Sequence, residues 1–177
     1  MNDHGWQELT GLDEVLAHAA RKPALDPPYE SPLEEAFAHN VIKYLDDGVT
    51  LGKQMEVNTI CGQFRIDFVA ERSGRRIGLE CDGADFHPSP LRDEWRDAMI
   101  LGDGPIVSIY RFRGKDVFSR VEDCLFILSA WERRFFSERG LRRLEVEASE
   151  EARAEVSRRQ LDDEIMSHSQ LKLASSS

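Results

Sequence analysis

The sequence predicts a layered α/β or α+β domain of about 100 residues, and two observations lead to this fold class. In three segments the apolar residues recur every three or four positions, which is the spacing of amphipathic helices. In four further segments apolar residues alternate with polar ones or form short runs bounded by turns, which is typical of strands. The order along the chain is helix, three strands that can pair antiparallel, helix, strand and helix.

The first predicted helix begins after Ser31, a good N-cap residue, with Pro32 at the first helical position. Apolar residues then follow at i, i+4 spacing, and they are Leu33, Phe37, Val41 and Leu45. The Asp-Asp-Gly run at Asp46–Gly48 ends the predicted helix. Three strands are predicted next, and they are Gln54–Ile60, Phe64–Ala70 and Arg75–Asp82.

The second half of the predicted domain continues with a helix over Leu91–Leu101 and a fourth strand over Ile106–Phe112. A long helix is expected from about Lys115 to near Gly140, because apolar residues keep a helical spacing through Trp131.

Both ends of the chain are expected to pack loosely. Residues 1–30 are predicted to be an N-terminal arm with one short helix, Leu12–Ala20, before a proline-rich stretch. Residues 31–140 form the predicted domain, and residues 141–177 read as a charged helical and disordered tail. We expect residues 1–28 and those after about 145 to contribute little to the core.

Composition narrows the classes of function. The 177 residues carry a net charge of −10, and no segment is strongly basic, so binding nucleic acid by phosphate neutralisation alone is not expected. No apolar run has the ~18 residues of a membrane span, so no membrane partner is expected. Cys61, Cys81 and Cys124 are odd in number and far apart, which favours free thiols and a cytoplasmic location.

Two carboxylates are predicted to face each other on the second and third strands. A four-residue turn over 71–74 would place Ala70 opposite Arg75 and match the apolar faces of the two strands. Asp67 would then be diagonal to Glu80 on a shared face, about 7–8 Å away at the backbone. Two carboxylates at that spacing can share a divalent metal ion.

An ordered set of motifs follows the same residues: Arg65-Ile66-Asp67-Phe68-Val69, Gly78-Leu79-Glu80-Cys81-Asp82-Gly83, His87, Asp93, Arg96 and Tyr110-Arg111-Phe112. Over about residues 31–128 this set resembles the PD-(D/E)XK nuclease superfamily, and more closely the Vsr-like (very-short-patch-repair-like) endonuclease domains of bacteria. The resemblance implies a restriction-endonuclease-like fold, in which helices flank a mixed sheet of about four strands. It also implies metal-dependent hydrolysis of phosphodiester bonds in DNA.

The resemblance also implies roles for individual residues. Asp67, Glu80 and Asp82 would hold Mg²⁺ or Mn²⁺, and Glu34 would be the acidic residue of the first helix, with Glu35 as the alternative. Asp82 stands where the wider superfamily has a lysine, and a second metal contact there or a nearby arginine could substitute for it. His87 would exchange protons near the reacting phosphate, and two further residues would contact phosphate: Arg96 and Arg111.

Each of these residues also has a structural explanation. Glu34 fits a capping box with Ser31, and the predicted register places Arg65 opposite Glu80 as an ion pair. Asp82 could simply be a turn residue, and His87 could be a surface histidine. Asp93 and Arg96 could form an ordinary ion pair three residues apart on a helix.

Three classes of function therefore remain open from the sequence. The leading one is a metal-dependent endonuclease that acts on DNA. The second is a catalytically silent module of the same fold that binds nucleic acid or a protein, and the third is a structural protein whose carboxylates only form ion pairs. A protein partner, or a second copy of the chain, could bind through the C-terminal helical region.

Overall fold

The computed structural model describes residues 23–83 and 90–160, and it shows an α/β fold with a four-stranded mixed sheet. The strands are β1 (Thr50–Thr59), β2 (Gly62–Arg72), β3 (Arg75–Asp82) and β4 (Ile106–Arg113). The helices are α1 (Pro32–Val41), α2 (Pro90–Asp103), α3 (Gly114–Trp131), α4 (Glu138–Glu147) and α5 (150–160), and 3-10 turns lie at Pro23–Leu25 and Arg133–Phe135.

The sheet is built in chain order. β1, β2 and β3 pair antiparallel through tight hairpins, and β4 pairs parallel with β3 after the crossover through α2. The predicted fold class is confirmed, and β3 has the predicted bounds. Each of the other three strands is longer than predicted at one or both ends.

The predicted register between β2 and β3 is wrong by two residues. Arg72 pairs with Arg75 across a two-residue turn, Ser73-Gly74, and both turn residues have positive φ angles of 50° and 80°. This is the backbone that a tight hairpin with right-handed strand twist requires. As a result Phe68 pairs with Leu79 rather than with Ile77.

Helices cover the two faces of the sheet and bury two apolar clusters. The larger cluster lies on what we call the α1/α3 face and includes Phe37 of α1, Leu125 of α3 and Phe68 of β2. The smaller lies on the α2 face, where Ile100 of α2 packs with Ile66. The sheet is thus the middle layer of three, as helices on both faces of a sheet require.

Both β1 and β2 change faces at one point. Ile66 packs on the α2 face, yet Phe68, only two residues later, packs on the α1/α3 face. Regular alternation would keep these two residues on the same face. The irregularity lies at Asp67 of β2 and Gln54 of β1. The flanking pairs Lys53–Phe68 and Met55–Ile66 are present in the ladder, but Gln54 and Asp67 do not pair.

The single long helix predicted to reach Gly140 is not formed. Helix α3 ends at Trp131, with non-helical angles inside it at Arg120, and the chain then runs beside the segment after α1. The Asp46 N–H donates to the Phe135 carbonyl at 2.9 Å, and the Ser137 N–H donates to the Tyr44 carbonyl at 3.0 Å. The side chain of Ser137 then caps α4.

Residues 145–160 pack against α3, so the expectation of a loose tail is wrong for them. The buried residues recur at helical spacing on one side of α4 and α5: Leu144, Ala148, Ala152 and Val156. Asp123 of α3 also accepts hydrogen bonds from the backbone N–H and the hydroxyl of Ser149. The predicted partner surface in this region remains a prediction, although this apolar stripe is covered by the chain itself.

At the other end, Ala24 is fully buried in the larger cluster, so the expectation of loose packing is also wrong for that residue. The predicted helix Leu12–Ala20 lies outside the described residues, as do residues 161–177. Among the helices of residues 23–83 and 90–160, none is long and apolar enough to cross a membrane.

Candidate metal centre

The acidic residues singled out in the sequence meet where β2 and β3 separate. The ladder between these strands runs from the hairpin turn to the pair Phe68–Leu79 and stops there. Asp67 and Glu80 are the next residue on each strand. α1 approaches this point from one face of the sheet and α2 from the other, and each contributes charged side chains.

Asp67 is a partly buried carboxylate of this group. Its Oδ2 accepts a hydrogen bond from the backbone N–H of Cys81 at 2.9 Å. Burial is the main reason that the pKa of Asp67 rises from its ordinary 3.8 to about 6; the Cys81 bond opposes the rise, and the charges of Glu80 and Glu34 add to it. A carboxyl group with that pKa can exchange protons near neutral pH.

Glu34 is buried in the first turn of α1, with 7% of its surface exposed, whereas Glu35 is exposed. Only half of the predicted capping box forms: the Ser31 Oγ accepts from the Glu34 N–H at 3.2 Å. The Glu34 carboxylate does not reach back to the Ser31 amide but accepts from the Ser31 hydroxyl at 3.2 Å. Of the two alternatives, Glu34 is therefore the one whose charge acts on Asp67.

Glu80 is 5% exposed and is held by two arginines. Arg96 of α2 donates to both of its carboxylate oxygens, at 2.6 and 2.8 Å, and Arg111 of β4 approaches to 3.0 Å. The expected partner Arg65 instead binds Glu30, at 2.6 Å on the surface, and that expectation is wrong. Arg96 also donates to the backbone carbonyl of Arg65 at 2.7 Å, which ties α2 to β2.

Asp82 and Asp97 extend this ion-pair network toward solvent. Arg111 lies 2.6 Å from Asp97 of α2 and 3.7 Å from Asp82, which is partly exposed at the end of β3. Asp97 is a residue of this network that sequence reasoning missed. Its position next to Arg96 was the available signal, but charged neighbours on a helix are too common to be informative.

Two predicted residues cannot be placed. His87 lies outside the described residues, and for Asp93 the structure describes the helical backbone of α2 but not the side chain. Their roles remain predictions.

Gln54 is a site residue that sequence reasoning missed. Its Nε2 donates to Oε2 of Glu34 at 2.8 Å, and its position in β1 is opposite Asp67 at the irregularity. A glutamine in a run of strand residues gives no sequence signal. Its importance emerges only from the backbone geometry.

The donor atoms of this cluster are oxygens. Carboxylates come from Glu34, Asp67, Glu80 and Asp82, and a carboxamide comes from Gln54. Oxygen donors of this kind suit hard cations such as Mg²⁺ and Mn²⁺. Burial is the main cause of the raised pKa of Asp67, and an added cation would offset the smaller part that comes from the charges of Glu80 and Glu34. Within the described ranges, no three His, Cys, Asp or Glu side chains are grouped so that they could hold a metal ion.

No protein-family model and no curated protein matches the chain. A solved structure of a protein of unknown function, AF1548, is similar to it with a TM-score of 0.36 and 16% sequence identity. The similarity covers 71% of this chain and 94% of that one. At this level the similarity supports no conclusion about fold or function.

Proposed function

We propose that the chain is a metal-dependent endonuclease that hydrolyses phosphodiester bonds in DNA. The observation that carries the proposal is Asp67: a half-buried carboxyl group whose pKa is raised to about 6, beside the charges of Glu80 and Glu34. Perturbed carboxyl groups cluster at functional sites more often than elsewhere. The motif resemblance over residues 31–128 adds the reaction class.

In this proposal Asp67 and Glu80 hold the cation, and Asp82 is a further candidate contact. Bound Mg²⁺ or Mn²⁺ supplies Lewis-acid activation of the scissile phosphate and lowers the pKa of a water molecule. Arg96 and Arg111 both contact the Glu80 carboxylate, and they would supply the positive charge that the lysine gives in the wider superfamily.

A second candidate function is a silent module of this fold that binds nucleic acid or a protein without cleaving DNA. One observation favours it: the two arginines already neutralise Glu80, so a cation must compete with them for this carboxylate. DNA binding without cleavage would support this candidate.

The deciding experiment is incubation of the purified chain with single-stranded, duplex and mismatched DNA in the presence of Mg²⁺ or Mn²⁺. We expect cleavage, and we expect Asp67→Asn to slow it by ~100-fold or more, because the substitution removes a charged ligand of the cation. Glu80→Ala should abolish cleavage.

Glu71→Gln is the matched control for this assay. Glu71 lies on the same strand as Asp67, but its partner is Arg76, at 2.5 Å near the hairpin turn. The control should cleave as the wild type does. Cleavage that persists unchanged in both Asp67→Asn and Glu80→Ala would contradict the proposal.

A further inference from the structure

Gln54 has a backbone conformation that its residue type rarely adopts. Its φ angle is 51°, in the left-handed region, within a strand. The pairs Lys53–Phe68 and Met55–Ile66 on either side are intact, so the distortion is confined to Gln54 and the facing Asp67. Strain of this kind is retained where the surrounding structure over-determines it, and such positions concentrate at functional sites.

Only the nitrogen of the Gln54 carboxamide makes a hydrogen bond to the described residues. Its Nε2 donates to Oε2 of Glu34 at 2.8 Å, while the Ser31 hydroxyl donates to the other oxygen, Oε1, at 3.2 Å. Both oxygens of Glu34 are therefore held, and its carboxylate cannot rotate freely. The Oε1 of Gln54 is buried and has no hydrogen-bond donor among the described residues.

A buried carbonyl oxygen without a partner costs free energy, about 1–3 kcal/mol, and such groups in native structures call for an explanation. Gln54 is neutral, contacts Glu34 through Nε2, and stands opposite Asp67 between the pairs Lys53–Phe68 and Met55–Ile66. Glu34 and Glu80 are the charges that add to the raised pKa of Asp67. Side-chain amide oxygens are ligands of hard divalent cations, and a neutral ligand adds coordination without adding repulsion.

We propose that Gln54 belongs to the candidate metal centre: it positions the Glu34 carboxylate through Nε2 and offers Oε1 as a neutral oxygen donor to a divalent cation held with Asp67. The inference rests on the proposed function, since it requires a cation at this site. It extends the proposed function because it adds a residue of β1 to the metal centre and explains why the left-handed backbone at Gln54 is retained.

The test is calorimetric titration of the full chain with Mn²⁺, using the wild type, Gln54→Asn and Gln54→Gly. Asparagine keeps the carboxamide and tolerates a left-handed backbone, but it is one methylene too short to keep the contact with Glu34. Glycine accepts the same φ angle without a side chain. We expect the Mn²⁺ dissociation constant to rise about 10-fold or more in both variants, with the cation-free melting temperature of Gln54→Asn near that of the wild type.

Gln63→Asn is the matched control. Gln63 of β2 also donates from its Nε2 to a glutamate, Oε2 of Glu56 on β1 at 3.0 Å, but this bond lies on the surface. Its substitution should leave Mn²⁺ binding unchanged.

The outcomes separate the two proposals. If Asp67→Asn loses Mn²⁺ binding while Gln54→Asn and Gln54→Gly bind as the wild type does, the role of Gln54 is overturned and the metal centre stands. If the wild type itself binds no Mn²⁺, both proposals are overturned.

Discussion

Replacing Asp67 with asparagine is expected to stabilise the cation-free protein at pH 7.5, by about 2 kcal/mol. The folded-state pKa of about 6 lies above the ordinary value of 3.8, so folding disfavours the charged form. The two-unit difference corresponds to about 3 kcal/mol at ~1.36 kcal/mol per unit, and the partial exposure of Asp67 reduces this to about 2. The amide oxygen of the introduced asparagine can still accept the hydrogen bond from the Cys81 N–H.

The raised pKa of Asp67 also determines how the stability of the protein depends on pH. The stability that protonated Asp67 contributes is fully present below about pH 4 and is lost as the pH rises through 6. Urea unfolding in a chelating buffer should therefore show wild type and Asp67→Asn similar at pH 4 and different at pH 7.5. An Asp67→Asn variant less stable than wild type at pH 7.5 would show that the carboxylate is compensated.

Replacing Gly140 with alanine is expected to destabilise the fold by about 3 kcal/mol, because an added methyl group has no space. A Cβ atom there would lie 2.3 Å from the Tyr44 carbonyl oxygen and 2.8 Å from its Cα. Both are backbone atoms, so the first turn of α4 would have to move away from the segment after α1. Chemical unfolding measures the loss directly.

Gly102→Ala is the control for this substitution. Gly102 lies in α2, and a methyl group added to its Cα would meet nothing within 4 Å, so alanine there should raise stability by roughly 0.5–1 kcal/mol. Opposite signs for the two substitutions would support the close packing of α4. If both substitutions change the free energy of unfolding only slightly, the close packing of α4 is contradicted. The prediction of a loosely packed C-terminal region would then stand.

The strands could be located from apolar periodicity, but their register could not. A hairpin shifted by two residues keeps every side chain on the same face, so the apolar match was equally good for both alternatives. The turn decides between the two registers: Ser73 and Gly74 both adopt positive φ angles, which makes a two-residue turn rather than the predicted four-residue one.

The change of faces at Asp67 was also hidden from the sequence. Phe64, Ile66 and Phe68 alternate as if they lined one face, whereas the first two pack against the α2 side and the third against the other. The cause is a paired irregularity across two strands. No pattern in one strand reveals it.

The end of α3 depends on tertiary contacts, because the apolar periodicity continues past Trp131. Backbone hydrogen bonds to Tyr44 and Asp46 outweigh continuation of the helix there. Ser137 was a readable N-cap signal, and its side chain does accept from the Gly140 N–H at 3.0 Å. The candidate carboxylates were identifiable from residue type and motif, whereas their partners Gln54 and Asp97 required the fold.

The central claim, that a cation binds at Asp67, is tested most directly by thermal melts with and without Mg²⁺ or Mn²⁺. Binding to the folded state alone stabilises by about 2.7 kcal/mol when the free ion is at a hundred times its dissociation constant. We predict a clear rise in the melting temperature of the wild type and none in Asp67→Asn. Equal shifts in the two proteins, or no shift in either, would contradict the claim.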